Sequence, residues 1–395
     1  MKKHAPFKII IVVCGLCLVI IAILFVISGF FMPKKYMEPW KKDYSARFSD
    51  PRVKLTSVGI LAASNHNMQP WKIKLDKNDP NVFYLYADSS RRTKEVDPYS
   101  RQMMISEGTF LEYVRVAGDE EGLHADIKLF PEGTYDESNL VHSMDTLPVA
   151  RITLTKTQKH NNQLYNAMFL PDTNRDAYKP DKLTEVQVNS FESLSLQNGP
   201  TIKVYENKDD IARIGKFAMQ AADIEAGVTR VMDESNIIFR SNEYRKNKYR
   251  YGYSVEGQGA DGFKKNIIQG IVTIFPSLNT GKSASNNFIN YTRKSVDSTP
   301  AYVIIKTNGN SRLEQVESGM IYSRLVLTGH RLGLAMQPLS QALEEYPEMQ
   351  VSYKSIKQAY ASEGSTIQML LRTGQPEANV PLSMRRDVKE LIINK

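Results

Sequence analysis

Cysteine is almost missing from this chain of 395 residues: its two copies, Cys14 and Cys17, both fall in one apolar run near the N-terminus. A disulfide framework and a cysteine-rich metal site are therefore excluded. The Cys-x-x-Cys spacing of that pair is read as packing, because a redox dithiol needs a partly exposed helix N-terminus to lower a thiol pKa. Histidine is also sparse, with six scattered residues and no ligand-spaced pair, so no metal site is expected. A Gly-x-Ser-x-Gly nucleophile elbow is absent as well. Gly257, Gly259 and Gly262 do spell Gly-x-Gly-x-x-Gly. A dinucleotide fingerprint must follow an apolar strand and have an acid about 20 residues on, whereas here a basic, Tyr-rich stretch precedes and Lys282 stands at that distance. A mobile loop is expected there instead.

Long apolar runs are equally scarce, with one exception. From Ile9 to Met32 no residue carries a charge, which suffices to cross a hydrocarbon core of about 30 Å as a helix. Lys2, Lys3 and Lys8 precede it, but the run is longer than the roughly 7–15 residues of a cleaved signal core, and Val26-Ile27-Ser28 is a poor cleavage site. An uncleaved, single-pass anchor in the cell membrane is expected. Lys34, Lys35, Lys41, Lys42 and Arg47 follow the run, so the positive-inside count does not settle its orientation. The short basic N-terminus favours an extracytoplasmic soluble domain.

The formal charge of +8 points to anionic partners, whether a phosphate-bearing ligand, lipid headgroups or nucleic acid. Arg240, Arg245, Lys246, Lys248 and Arg250 alternate with Tyr244, Tyr249 and Tyr251, a pattern that suits single-stranded nucleic acid. No nucleic-acid module accompanies it, so the stretch is read as a lid over a site and no nucleic-acid partner is expected.

The periodicities predict an α+β fold. Asp50 and Pro51 open a helix with Leu55, Val58, Leu61 and Ala62 on one face. Strands at 71–75 and 81–86 and a helix through "SEGTFLEYVRVAGDE" follow, then strands at 125–130 and 149–154. The pattern restarts with a short helix near 185–195, the strand "TIKVYE", a long helix around 209–233, the strand "AYVIIKT", a helix over 313–332 and a last strand in "STIQMLLRTGQP". Five segments result: a basic segment 1–8, the anchor 9–32, a polar linker 33–48, and two halves at 49–170 and 171–395.

The loop "LAASNHNMQPW" crowds Ser64, Asn65, Asn67 and Gln69 into a short space before a strand. Such a loop reads the edge of a polar ring or, as readily, caps its own backbone. It resembles the Ser-Ser-x-Asn-x-Gln-Pro-Trp loop of nitroreductase-like flavoproteins. "SSRRTKEVDPYSRQMMISEGTFLEYVRVAGDEEGLHADIKLFPEG", "TNRDAY" and "QMLLRTGQPEANVPLSMRRDVKELI" resemble the Acg family, a fused branch of that superfamily. The resemblance covers most of 50–393. His66 stands where the motif has a small residue, and Ala63 where it has a proline.

The resemblance implies a nitroreductase-like fold in which two fused halves form an intrachain pseudo-dimer, preceded by one transmembrane helix. It implies FMN bound between the halves by Ser64, Asn65, Asn67 and Gln69 from the first and by Arg175, Arg385 and Arg386 from the second. One intact site per chain follows, because "SLSLQNGPTIKV" lacks Gln-Pro-Trp. The activity implied is hydride passage from NAD(P)H through FMN to a nitroaromatic or quinone-like acceptor, with no catalytic side chain because the cofactor carries the chemistry. The alternative is an FMN storage or sequestration protein without turnover.

Overall fold

The computed structural model describes residues 5–159 and 162–393. Lys2 and Lys3, counted above in the basic segment, lie outside the described residues. Helix α1 (Ala5–Ser28) carries the apolar run and is the one described helix long and apolar enough to cross a membrane. The next segment differs from the linker expected at 33–48. It forms two short 3-10 turns, Lys35–Trp40 and Ser45–Arg47, and buries Tyr36, Pro39, Trp40 and Tyr44. Trp40 donates its indole N–H to the Ser383 carbonyl at 2.7 Å, and Tyr44 donates to Asp387 at 3.2 Å. Aromatic residues spaced by four gave this segment an apolar face that its many lysines disguised.

The first half contains α2 (Pro51–Gly59), β1 (Trp71–Leu75), β2 (Val82–Ala87), α3 (Arg101–Glu121), β3 (Leu123–Leu129), α4 (Leu140–Thr146) and β4 (Ala150–Lys156). Asp50 caps α2 by accepting the Arg52 N–H at 2.9 Å, with Pro51 at the first helical position. The second half begins with α5 (Glu185–Glu192), closed at its start by a Thr184–Gln187 capping box, and β5 (Thr201–Tyr205). An all-helical insertion follows: α6 (Lys208–Gly227), α7 (Thr229–Ile237), α8 (Glu243–Tyr249), α9 (Gly262–Ile274) and α10 (Gly281–Asp297). Then come β6 (Ala301–Thr307), α11 (Arg312–Arg331), β7 (Ala335–Pro338), α12 (Gln350–Tyr360), β8 (Thr366–Gly374) and a short β9 (Ile392–Ile393). The Gly257–Gly262 stretch, expected as a loop, forms a 3-10 turn at Val255–Gln258 and the start of α9.

The fold is α+β, with one sheet per half. The strand orders are β3-β4-β2-β1-β9 and β5-β6-β8-β7. Reading the second from its other edge gives β7-β8-β6-β5, so each half places its first four strands in the same order. The tip of the β1–β2 hairpin in the first half corresponds in position to the helical insertion in the second.

Helices α3 and α11 cross between the halves with backbones touching. A Cβ on Gly108 would overlap the Val316 carbonyl, and one on Gly319 would overlap that of Ile105, so the contact is reciprocal. The chain finally returns from the second half to the first. β9 pairs in parallel with β1, Ile73 opposite Ile392, and carries Arg385 and Arg386 across the junction on the way.

Candidate functional site

The loop before β1 is strained in a way that its neighbours hold fixed. His66, Asn67 and Gln69 all have positive φ (47°, 52° and 50°), a region costly for residues other than glycine and tolerated best by asparagine. Ser64 stabilises the turn by accepting the Gln69 N–H at 2.9 Å. Asn65 is held at both ends, its N–H on the Ser106 hydroxyl and its amide on that of Thr93, each at 2.9 Å.

Two other parts of the chain lock onto this turn. From the insertion, the Gly252 N–H donates to the Asn67 carbonyl at 3.1 Å, and the Gly252 and Arg250 carbonyls accept from Asn67 and Gln69 at 3.0 and 2.9 Å. From the C-terminal tail, Arg385 donates to Asn67 Oδ1 at 3.1 Å, and the Arg386 N–H donates to Gln69 Oε1 at 2.8 Å. The structure thus brings Asn67, Gln69, Arg385 and Arg386 together, but into bonds with one another. Arg385 is fully buried, donates to the Leu61, Ala62 and Met384 carbonyls, and stacks over Trp40 at 4.6 Å. Arg386 spends its guanidinium on the Gln69 carbonyl at 3.0 Å and on Glu390, and burial lowers its pKa to about 10. These four side chains shape the loop. Ser64, Asn65 and His66 remain partly accessible.

Arg175 is different. Its segment is pinned on either side: the Asn174 N–H bonds the Met336 carbonyl at 2.9 Å, and the Tyr178 hydroxyl bonds the Asn174 carbonyl at 2.8 Å. Beneath, Arg372 stacks on Tyr178 at 3.8 Å. Among the described residues nothing hydrogen-bonds or ion-pairs with the Arg175 guanidinium. The residue is solvent-exposed, yet enough protein surrounds it for burial to lower its pKa, against the raising influence of Asp172, Tyr322, Tyr178 and Tyr253. Both observations fit a side chain whose stem is surrounded by protein while part of it meets solvent. His66 lies near enough to feel it: burial, then the Arg175 charge, lower its pKa to about 4, so the imidazole is neutral at ordinary pH.

Tyr322, on α11, completes the group. It is buried, its hydroxyl has no hydrogen-bond partner among the described residues, and burial raises its pKa well above normal. The insertion comes beside Arg175: a Cβ on Gly257 would stand 4.0 Å from Arg175 Nη1. Asp172, Tyr253 and Tyr322 were not singled out from sequence. Asp172 adjoins the "TNRDAY" motif and Tyr253 falls in the basic, Tyr-rich stretch, but nothing in the periodicity of α11 separates Tyr322 from its core neighbours.

A guanidinium with no protein partner, beside a buried phenol with none, is a site for an anionic group: the first offers charged donors in a fixed fork and the second an unsatisfied hydroxyl. The adjacent loop offers Ser64 and Asn65 to the edge of a polar ring.

No family model matches the chain. It is 22% identical over 341 residues, 85% of its length and 89% of theirs, to a protein named "Putative NAD(P)H nitroreductase" in two strains of Mycobacterium tuberculosis. Among solved structures, a "putative nitroreductase" of Anabaena variabilis overlaps 80% of this chain and 82% of its own at TM-score 0.37 and 10% identity. An FMN-dependent nitroreductase of Mycobacterium smegmatis in complex with NADPH overlaps 56% of this chain and 92% of its own at TM-score 0.33 and 15% identity. Scores this low describe partial likeness only.

Proposed function

We propose that this protein is an FMN-dependent oxidoreductase of nitroreductase type, of the Acg branch, passing reducing equivalents from NAD(P)H to a nitroaromatic or quinone-like acceptor. The observation that carries the reading is the unpaired Arg175 guanidinium, set with Tyr322 beside the Ser64–Gln69 loop. The weak likeness to the mycobacterial protein over most of both chains supports it. So does the shared strand order of the two sheets, which we read as an intrachain pseudo-dimer of residues 49–170 and 171–395.

The residues present fit the group in one part of the site and change their role in another. Arg175 would hold the phosphate by paired, charge-assisted hydrogen bonds, with the Tyr322 hydroxyl as a further donor. Ser64 and Asn65 would meet the ring edge. Asn67, Gln69, Arg385 and Arg386 act as positioning residues: their mutual bonds hold a turn that would otherwise relax from its positive φ values. FMN, when bound, supplies the two-electron carrier. Residues 9–32 are read as a cell-membrane anchor, with the remainder of the chain extracytoplasmic.

The purified protein is expected to be yellow, with a single flavin per chain, and anaerobic NADH or NADPH is expected to bleach it. Colour that persists with both reductants would replace turnover by flavin storage. A colourless preparation that takes up no added FMN would remove both readings.

A further inference from the structure

Helix α9 is apolar on two faces: Val272, with Ile268 beside it, packs inward against Val255 and Ala260, and a second apolar stripe faces out. Lys265, Asn266 and Gln269 are buried, while Phe263 and Ile274, with Phe275 and Leu278 just beyond the helix, are between 42% and 61% exposed. The inward polar face has a reason. Lys265 and Lys246 share Glu243 and Glu256, at 3.4 Å from the first lysine and 2.7 Å from the second, and the Tyr36 hydroxyl donates to Glu243 at 2.6 Å. This buried charge cluster takes part of the inward face and leaves a second apolar stripe outward, unlike the single inward stripe of a surface helix in water. Stripes of that kind face something other than water.

The position of α1 identifies what. The last two turns of that helix dock on α9 and on the start of α8. Phe25 packs on Phe263 with ring centroids 4.7 Å apart, Asn242 donates to the Ile27 carbonyl at 3.2 Å, and a Cβ on Gly270 would stand 2.7 Å from the Leu24 carbonyl oxygen. The apolar span runs over 20 residues, Ile9–Ser28, which at 1.5 Å per residue is about 30 Å, the whole thickness of a hydrocarbon core. With the span filling the core, the turns that touch α9 lie at the edge of the bilayer, and the outward face of α9 shares their depth. Exposed Lys34, Lys35 and Lys264 flank the junction, and Phe31 and Tyr244 lie exposed beside it, as at a membrane–water interface.

We propose that α9 and the turn after it, Gly262–Asn279, are embedded in the bilayer surface as a second membrane element beside the anchor. This rests on the reading of α1 as a membrane span. The embedded helix is tied through Lys265–Glu256 to the loop whose next residue, Gly257, lies beside Arg175, so the bilayer holds one wall of the candidate site.

The test uses the full chain reconstituted in vesicles of phosphatidylcholine and phosphatidylglycerol with brominated acyl chains. Three variants are compared with the parent protein: Phe275→Trp, Leu278→Trp, and Val12→Trp as a probe of the anchor. The first two change exposed side chains, so either can stand in should the other misfold. Both are expected to show blue-shifted emission, strong quenching by bromine and little by aqueous iodide. If Val12→Trp is quenched by bromine while both others respond only to iodide, the anchor stands and the embedded helix is refuted. If Val12→Trp escapes bromine too, the membrane reading itself fails and takes this proposal with it.

Discussion

Arg175→Ala and Arg385→Ala should fail in opposite ways, and the contrast tests the assignment of roles. Arg175 makes no hydrogen bond or ion pair with any described residue, so its removal strands no carbonyl, and burial already disfavours its charge. The flavin-free variant is expected to melt at or slightly above the parent temperature. What it loses is grip on a phosphate: charged hydrogen bonds contribute about 1.5–3 kcal/mol, and 1.4 kcal/mol is tenfold, so FMN affinity should fall roughly 10- to 150-fold. Arg385 is the reverse case. Alanine there unpairs the Leu61 and Ala62 carbonyls and Asn67 Oδ1, and leaves Asp172, 3.4 Å away, without its ion-pair partner. Breaking a buried pair of this kind costs about 3–5 kcal/mol. The assay is a fluorescence titration with FMN beside thermal unfolding of flavin-free protein. Flavin affinity unchanged in Arg175→Ala, or a fall in its melting temperature equal to that of Arg385→Ala, would refute the division into ligand-holding and loop-holding arginines.

One substitution type should change sign with position. Gly108→Ala and Gly319→Ala overpack the α3–α11 crossing and are expected to destabilise by about 1–3 kcal/mol, whereas Gly227→Ala, in open space at the end of α6, should stabilise by about 0.5–1 kcal/mol; denaturant unfolding reads both. The pKa of His66 is lowered to about 4, so between there and the ordinary imidazole value the unfolded chain binds more protons and stability falls as the pH drops. His66→Gln should flatten that acid limb of the melting-temperature profile. Glu225 behaves oppositely: burial raises its pKa to about 8, so the stability of its protonated form is lost as pH rises towards that value. Glu225→Gln should therefore raise the melting temperature at alkaline pH far more than at acid pH.

Much of the fold was legible because local patterns and tertiary demands agreed. Asp50-Pro51 capped a helix where expected, and the strands at 71–75 and 201–205 and the helices α3 and α11 fell within a few residues of their predicted bounds. The long helix expected over 209–233 breaks at Val228, in an extended conformation, before α7 begins. Helices α9, α10 and α12 went unread because their faces answer to neighbours: α9 points lysine and glutamine inward, so its residues do not sort into one apolar and one polar face. The site was legible in its parts. The Ser64–Gln69 loop, Arg175 and the arginine pair were named from motifs, and the first and last of these do meet. Their roles were not legible. Nothing in "SMRRDV" says that Arg385 and Arg386 point at carbonyls, and nothing in "TNRDAY" says that Arg175, of these three arginines, has no partner among the described residues.

Periodicity, caps and composition belong to short stretches of chain, and these the sequence determined by itself: an apolar helix of membrane length, an α+β domain, and a polar loop before β1. Which polar groups remain unpaired is a property of the whole molecule. A guanidinium is satisfied or left open according to carbonyls hundreds of residues away, as Leu61 is from Arg385. Only the closing of the C-terminal tail and the helical insertion onto the first half decided that, and with it which residues are free to hold anything else.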